Sequence, residues 1–89
     1  MTRKLVPSKQ FKRDVKNRLD LLLTSEWTTV SWSLINNQPM PEKFKDHELK
    51  GNLNNFRECH VKPDLLLLYT SDDDEVHLAR LGSHSELFG

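Results

Sequence analysis

Apolar residues recur at Phe11, Val15, Leu19, Leu22 and Leu23, and these steps of four, four, three and one mark one face of a helix. Ser8, following Pro7, stands where a helix cap belongs. A break near Thr24-Ser25 precedes a second helical pattern, Trp27, Val30, Leu34 and Ile35, which stops at Asn36-Asn37 ahead of Pro39 and Pro41. Thr28, Thr29 and Val30 are β-branched and pull against helix in this second run. The stretch to Val6 has the composition of a short edge strand. Residues 38–55, with two prolines, Gly51 and three asparagines, read as a long loop, a setting that often carries function.

After residue 55 the period changes. Phe56 to Val61, Leu65 to Thr70 and Val76 to Leu81 are short runs of β-forming residues, separated by Lys62-Pro63-Asp64 and Ser71-Asp72-Asp73-Asp74. They predict three antiparallel strands joined by tight turns. The whole is a single α+β domain over residues 1–89: two N-terminal helices packed on one face of a small antiparallel sheet, in the order β-α-α-β-β-β with a short C-terminal tail. The opposite sheet face is left free. Alternation along the first of these strands sends Cys59 and Val61 to the core and Glu58 and His60 to the free face, two residues apart.

Composition supports a folded chain and narrows the chemistry. Hydrophobic residues make up 36% and charged residues 29%, which fits a globular domain. The longest apolar run, Leu65 to Tyr69, cannot span a bilayer, and the first residues hold no apolar core of signal-peptide length; the expectation is a cytoplasmic protein without membrane partners. One cysteine, Cys59, allows no internal disulfide. The net charge of zero conceals a gradient: residues 1–18 carry +6 and residues 63–89 carry −5. The basic end, with Lys9, Lys12, Arg13 and Lys16 on the first helix, suits a polyanion, although an ordinary solvated helix face has the same composition.

Four histidines stand at positions 47, 60, 77 and 84. Imidazole both gives and takes protons near neutral pH, so a group of them directs attention to acid–base chemistry. His47, His60 and His84 with Glu58 or Asp64 could in principle form a zinc set, but no pair has the close spacing of common structural sites. A glycine-rich phosphate loop, a nucleophile elbow and a Cys-x-x-Cys pair are all absent from the sequence.

Three segments taken together carry a more specific signal: Phe44-Lys45-Asp46-His47-Glu48-Leu49-Lys50-Gly51, Phe56-Arg57-Glu58-Cys59-His60-Val61-Lys62-Pro63-Asp64, and Arg80-Leu81-Gly82-Ser83-His84-Ser85-Glu86-Leu87-Phe88. In this order, over nearly the whole chain, they resemble the YafQ-like branch of the RelE/ParE toxin superfamily. The resemblance implies a ribosome-dependent mRNA endonuclease, the toxin of a bacterial type II toxin–antitoxin pair, cutting message in the ribosomal A site. By position it implies catalytic roles for His47, His60, Asp64 and His84, a phosphate contact at Arg80, and a base-stacking role for Phe88. Glu58 stands where the branch commonly has aspartate, and its role is RNA binding or transition-state support. The basic first helix would grip ribosomal RNA or be covered by the cognate antitoxin, with which a heterotetramer is expected.

That reading agrees with the chemistry of RNA cleavage. Without a metal or other cofactor, a base must take the 2′-hydroxyl proton, an acid must protonate the leaving 5′-oxygen, and positive charge must support the crowded phosphate. A non-catalytic ParE-type toxin acting on gyrase would not need the histidine set. A small protein or nucleic-acid interaction module would leave it incidental.

Overall fold

The computed structural model describes residues 2–53 and 55–89. Along the chain lie β1 (Lys4–Pro7), α1 (Lys9–Lys16), α2 (Ser25–Ile35), β2 (His47–Glu48), β3 (Arg57–Lys62), β4 (Leu65–Ser71), β5 (Glu75–Gly82) and α3 (His84–Phe88). The strands form one sheet in the order β1-β5-β4-β3-β2. The fold is α+β as the sequence predicts, with close agreement for β3, β4 and β5. The sheet is mixed, because β1 pairs parallel to β5 while the other pairs are antiparallel.

α1 begins at Ser8, whose hydroxyl accepts from the Phe11 amide at 2.9 Å. It is shorter than the apolar spacing predicts. Asn17 caps it, and Arg18 leaves helical geometry with φ −138°. Leu19–Leu23 form a separate 3₁₀ turn in which Leu21 is buried, while Leu19, Leu22 and Leu23 are exposed. The tighter 3₁₀ pitch rotates those leucines off the face that Phe11 and Val15 define. Thr24 then caps α2, accepting from the Trp27 amide at 3.2 Å. Asn37, at φ 50°, turns the chain out of α2. Between residues 38 and 55 the expected loop contains 3₁₀ turns at Glu42–Phe44 and Gly51–Leu53 and the two-residue strand β2; Asn54 lies outside the described residues.

Phe11, Val15, Trp27, Val30 and Leu34 from the helices pack on Cys59, Val61, Leu67, Tyr69, Val76, Leu78 and Leu81 of the sheet, and Phe44 closes one side. Burying a side chain of this size contributes about 1.5–3 kcal/mol. α1 also protects the edge of β5 where β1 stops. The Ser8 amide donates to the Leu78 carbonyl, the Ser8 hydroxyl donates to the Ala79 carbonyl, and Asp14 accepts from the Leu81 amide at 2.9 Å. A side chain and a cap thus extend a ladder that would otherwise end in open backbone groups.

The far sheet face is not wholly free. The C-terminal tail forms α3, with a capping box in which Ser83 accepts from the Glu86 amide and Glu86 accepts from the Ser83 amide. Leu66 and Leu68 are buried although they lie outside the helix-side cluster. A Cβ on Gly82, which pairs with Leu66, would come within 3.3 Å of Glu86 and Leu87. The first turn of α3 therefore packs down on this face at the end of β5, and Gly82 lets it approach.

Candidate active site

Register decides which side chains meet. Directly opposed residues of antiparallel strands share a face, so one row runs His47–Glu58–Leu68–Arg80 across β2 to β5. The next row runs His60–Leu66–Gly82 and leads into α3. Both rows lie on the face away from α1 and α2, where the alternation predicts Glu58 and His60.

Glu58 is the buried centre of one cluster, its side chain only 8% exposed. Its Oε1 lies 3.3 Å from His60 Nε2 and 3.6 Å from His47 Nε2, and the two imidazole rings are 6.2 Å apart. His47 Nδ1 is 2.6 Å from the Lys45 carbonyl, which can only accept, so this nitrogen carries a proton and Nε2 is the one presented to Glu58. A carboxylate held between two imidazoles fixes the orientation of both rings.

His84 and Phe88 form the second cluster on α3, with rings 5.0 Å apart. Asp64, in the β3–β4 turn, accepts from the His84 backbone amide at 3.2 Å, and Arg18 reaches Glu86 from the link between α1 and α2. The backbone and hydroxyl of Ser83 hold the Glu86 carboxyl below its ordinary range. His84 and His60 thus sit at the same end and on the same face of the sheet. His84's ring meets Phe88, and Asp64 orients the helix start rather than the imidazole.

Arg80 is on the same face but is not idle. Its guanidinium donates from Nε and Nη2 to Asp14, at 2.9 and 3.3 Å, and this pairing raises its already high pKa. The fork is about a third exposed and lies two strands, or about 10 Å, from Glu58. Lys9, Lys12, Arg13 and Lys16 are exposed on α1, at the β5 side of the sheet and away from β2.

A supporting trio, to which the motifs assign no role, stands beside the Glu58 cluster. Asp46, adjacent to His47, accepts from the Arg57 guanidinium at 3.1 Å and from the Tyr69 hydroxyl. These contacts tie the loop that delivers His47 to β3 and β4. Burial, helped by Asp46, drives the Tyr69 hydroxyl pKa up, and burial does the same to the Cys59 thiol, so neither supplies an anionic nucleophile at neutral pH. His77 stands apart from the site, with Asp72 and Glu75 at the far end of β5; their ligand atoms lie within 4.8 Å of one another. Asp72 is already engaged there, accepting from the Asp74 and Glu75 amides of the acidic turn.

A family profile described as the bacterial toxin of type II toxin–antitoxin system, YafQ, matches residues 3–89. The chain belongs to the YafQ toxin family. It is 37% identical over 92 residues to the mRNA interferase toxin YafQ of Escherichia coli K12, covering 92% of this chain and 91% of that protein. A copper-bound mutant toxin from Helicobacter pylori superposes with a TM-score of 0.87 at 45% identity, over 99% of this chain and 100% of that one. The E. coli DinJ-YafQ toxin–antitoxin complex superposes at 0.84 with 34% identity over the full length of both chains. Membership of this family settles the scaffold in favour of the YafQ branch, and the histidine set predicted from the motifs lies on one face of it. Among the described residues, no helix is long and apolar enough to cross a membrane.

Proposed function

We infer that this chain is an mRNA interferase, the toxin of a bacterial type II toxin–antitoxin pair, and that it cleaves message in the ribosomal A site by metal-independent acid–base catalysis. The observation that carries this reading is the buried Glu58 carboxylate between His60 and His47, on the face and at the end of the sheet where α3 presents His84. The name of the E. coli relative, an mRNA interferase, supports it.

In this mechanism the RNA lies across the His60–Leu66–Gly82 row. His60 and His84 share the base and acid duties: one takes the 2′-hydroxyl proton as that oxygen attacks phosphorus, and the other protonates the departing 5′-oxygen. Glu58 holds His60 and His47 in place. His47 transfers a further proton or contacts phosphate, and Arg80, prepositioned by Asp14, supports the negative charge of the phosphorane. Asp64 positions His84 by anchoring its backbone. Phe88, 38% exposed beside His84, stacks on a base of the codon, a contact worth about 1–3 kcal/mol.

The partners follow from the same reading. Lys9, Lys12, Arg13 and Lys16 contact ribosomal RNA, and a cognate antitoxin shields the toxin in a cytoplasmic complex, as a heterotetramer if the antitoxin is dimeric. The E. coli YafQ structure in complex with DinJ supports an antitoxin partner. The test is to induce the chain in bacteria and map 5′ ends of cellular message. Codon-phased breaks that require translation and disappear in His84→Ala are expected. Growth arrest without message cleavage, or breaks that persist when translation is blocked, would overturn the reading.

A further inference from the structure

A groove of about 530 Å³ runs along β3 beside the two-cluster site and shares only His60 with it. Its walls include Lys43, Lys45 and Lys62 as well as His60, with Glu26 of α2 as the one acidic group. Its size falls within the ordinary range of ligand sites.

Two irregularities of the backbone open it. The β2–β3 register pairs His47 with Glu58 and Glu48 with Arg57, so continuing the ladder by two residues would set Lys45 opposite His60. Lys45 instead adopts φ 50° and ψ 43°. This left-handed conformation costs a non-glycine residue about 1 kcal/mol or more and turns the chain away from β3. Among the described residues, no strand pairs with β3 beyond Glu58 on that side. On β3 itself the register shifts between His60 and Lys62. Bulges of this kind re-aim side chains and are frequent beside active sites. The result is an open strand edge flanked by three lysines, two from the turn around Phe44 and one from β3, and continuous with His60.

We propose that this groove binds the sugar-phosphate backbone of the RNA immediately beside the cleaved bond, with Lys43, Lys45 and Lys62 as its phosphate contacts. The inference rests on the endonuclease reading, because His60 is the residue shared by groove and site. A positively charged channel that tracks the backbone is the common device for holding single strands without reading sequence. Glu26 limits the channel on the α2 side by repelling phosphate. A strand whose scissile phosphate lies between His60 and His84 leaves the sheet across the open edge of β3 and enters the channel. The backbone carbonyl of Lys45 orients His47 and the same residue lines the groove, so one residue links strand binding to the geometry of the acid–base cluster.

The experiment compares wild type with the Lys43→Gln/Lys62→Gln double variant in single-turnover cleavage of a defined message on programmed ribosomes, over a range of salt and toxin concentrations. Half-saturation should rise about 10-fold while the maximal rate stays within about 3-fold, because uniform binding is lost without loss of transition-state contacts. The slope of log affinity against log salt should fall by about 1.4, near 0.7 for each single-strand phosphate contact. Lys45→Asn, which keeps the left-handed conformation accessible, should lower the slope by a further step of about 0.7. Glu26→Gln should move half-saturation the other way. An unchanged slope and half-saturation in the double variant, with wild type cleaving normally, overturns the groove and leaves the endonuclease intact. Weakened antitoxin binding with an unchanged RNA slope assigns the groove to a protein partner and also overturns the proposal. A wild type that cuts no message removes both.

Discussion

The two halves of the site are built in different ways. Glu58 and His60 stand on β3, with Cys59 and Val61 between and beyond them in the core, and Glu58 is almost fully buried. His84 and Phe88 stand on a five-residue terminal helix with no buried residue, held by one contact from Asp64, one from Arg18 and its own capping box. The first half is prepositioned by the same packing that holds the sheet. The second is anchored by a few exposed polar contacts, so it belongs to the low-stability end of the fold and can adjust to substrate. On the proposed mechanism, the acid–base pair joins a fixed partner to an adjustable one.

If both halves supply proton transfer, His60→Ala and His84→Ala should each lower the rate of message cleavage by roughly 100- to 10,000-fold. They should differ elsewhere: thermal unfolding of His84→Ala should match wild type within about 0.5 kcal/mol, since its ring is exposed. A His84→Ala protein that still cuts at the wild-type rate removes the helix-borne half from the chemistry. Next in size is Asp14→Ala, which strips the acceptor from the Leu81 amide and frees Arg80. It should destabilise the domain by about 1–3 kcal/mol in urea unfolding, and amide exchange at Leu81 should rise.

Asp64→Ala should reduce cleavage by about 10-fold, the equivalent of one modest hydrogen bond, and should raise amide exchange in α3 while leaving β3 protected. Asp64→Asn, which keeps an acceptor oxygen, should restore most of both. Equal effects on α3 and β3 would contradict the division into two halves. The smallest effect is acid loosening of α3. The Glu86 carboxyl is held below its ordinary 4.5, so its capping contribution is fully present above that pH and is lost as pH falls through the depressed value. Proton-exchange rates at Ser83 and Glu86 should rise as pH falls through that depressed value, before the sheet amides respond.

These differences also explain what the sequence disclosed. The strands and their facing were legible because β3 to β5 follow two-residue alternation and are bounded by strong turn signals, and the same alternation placed Glu58 with His60. Leu19, Leu22 and Leu23 misled because they continue the spacing of Phe11 and Val15, whereas the break at Asn17-Arg18 depends on a change of helical pitch that spacing does not encode. The parallel pairing of β1 depends on where a four-residue strand docks, which is a tertiary choice. Ser83-x-x-Glu86 was a readable helix start that the short tail obscured. The Asp14–Arg80 pair spans 66 positions and the Lys45 turn is a single backbone angle, so neither leaves a periodic trace.

The claim at the centre of this account is that the 2′-hydroxyl of the message is the nucleophile and that imidazoles move the protons. The direct measurement is the chemistry of the cut ends after wild-type cleavage on translating ribosomes. Upstream fragments should end in a 2′,3′-cyclic phosphate or its opened 3′-phosphate, and downstream fragments should begin with a 5′-hydroxyl. Fragments ending in 3′-hydroxyl groups with 5′-phosphates downstream would show that water attacked instead, and would contradict the mechanism.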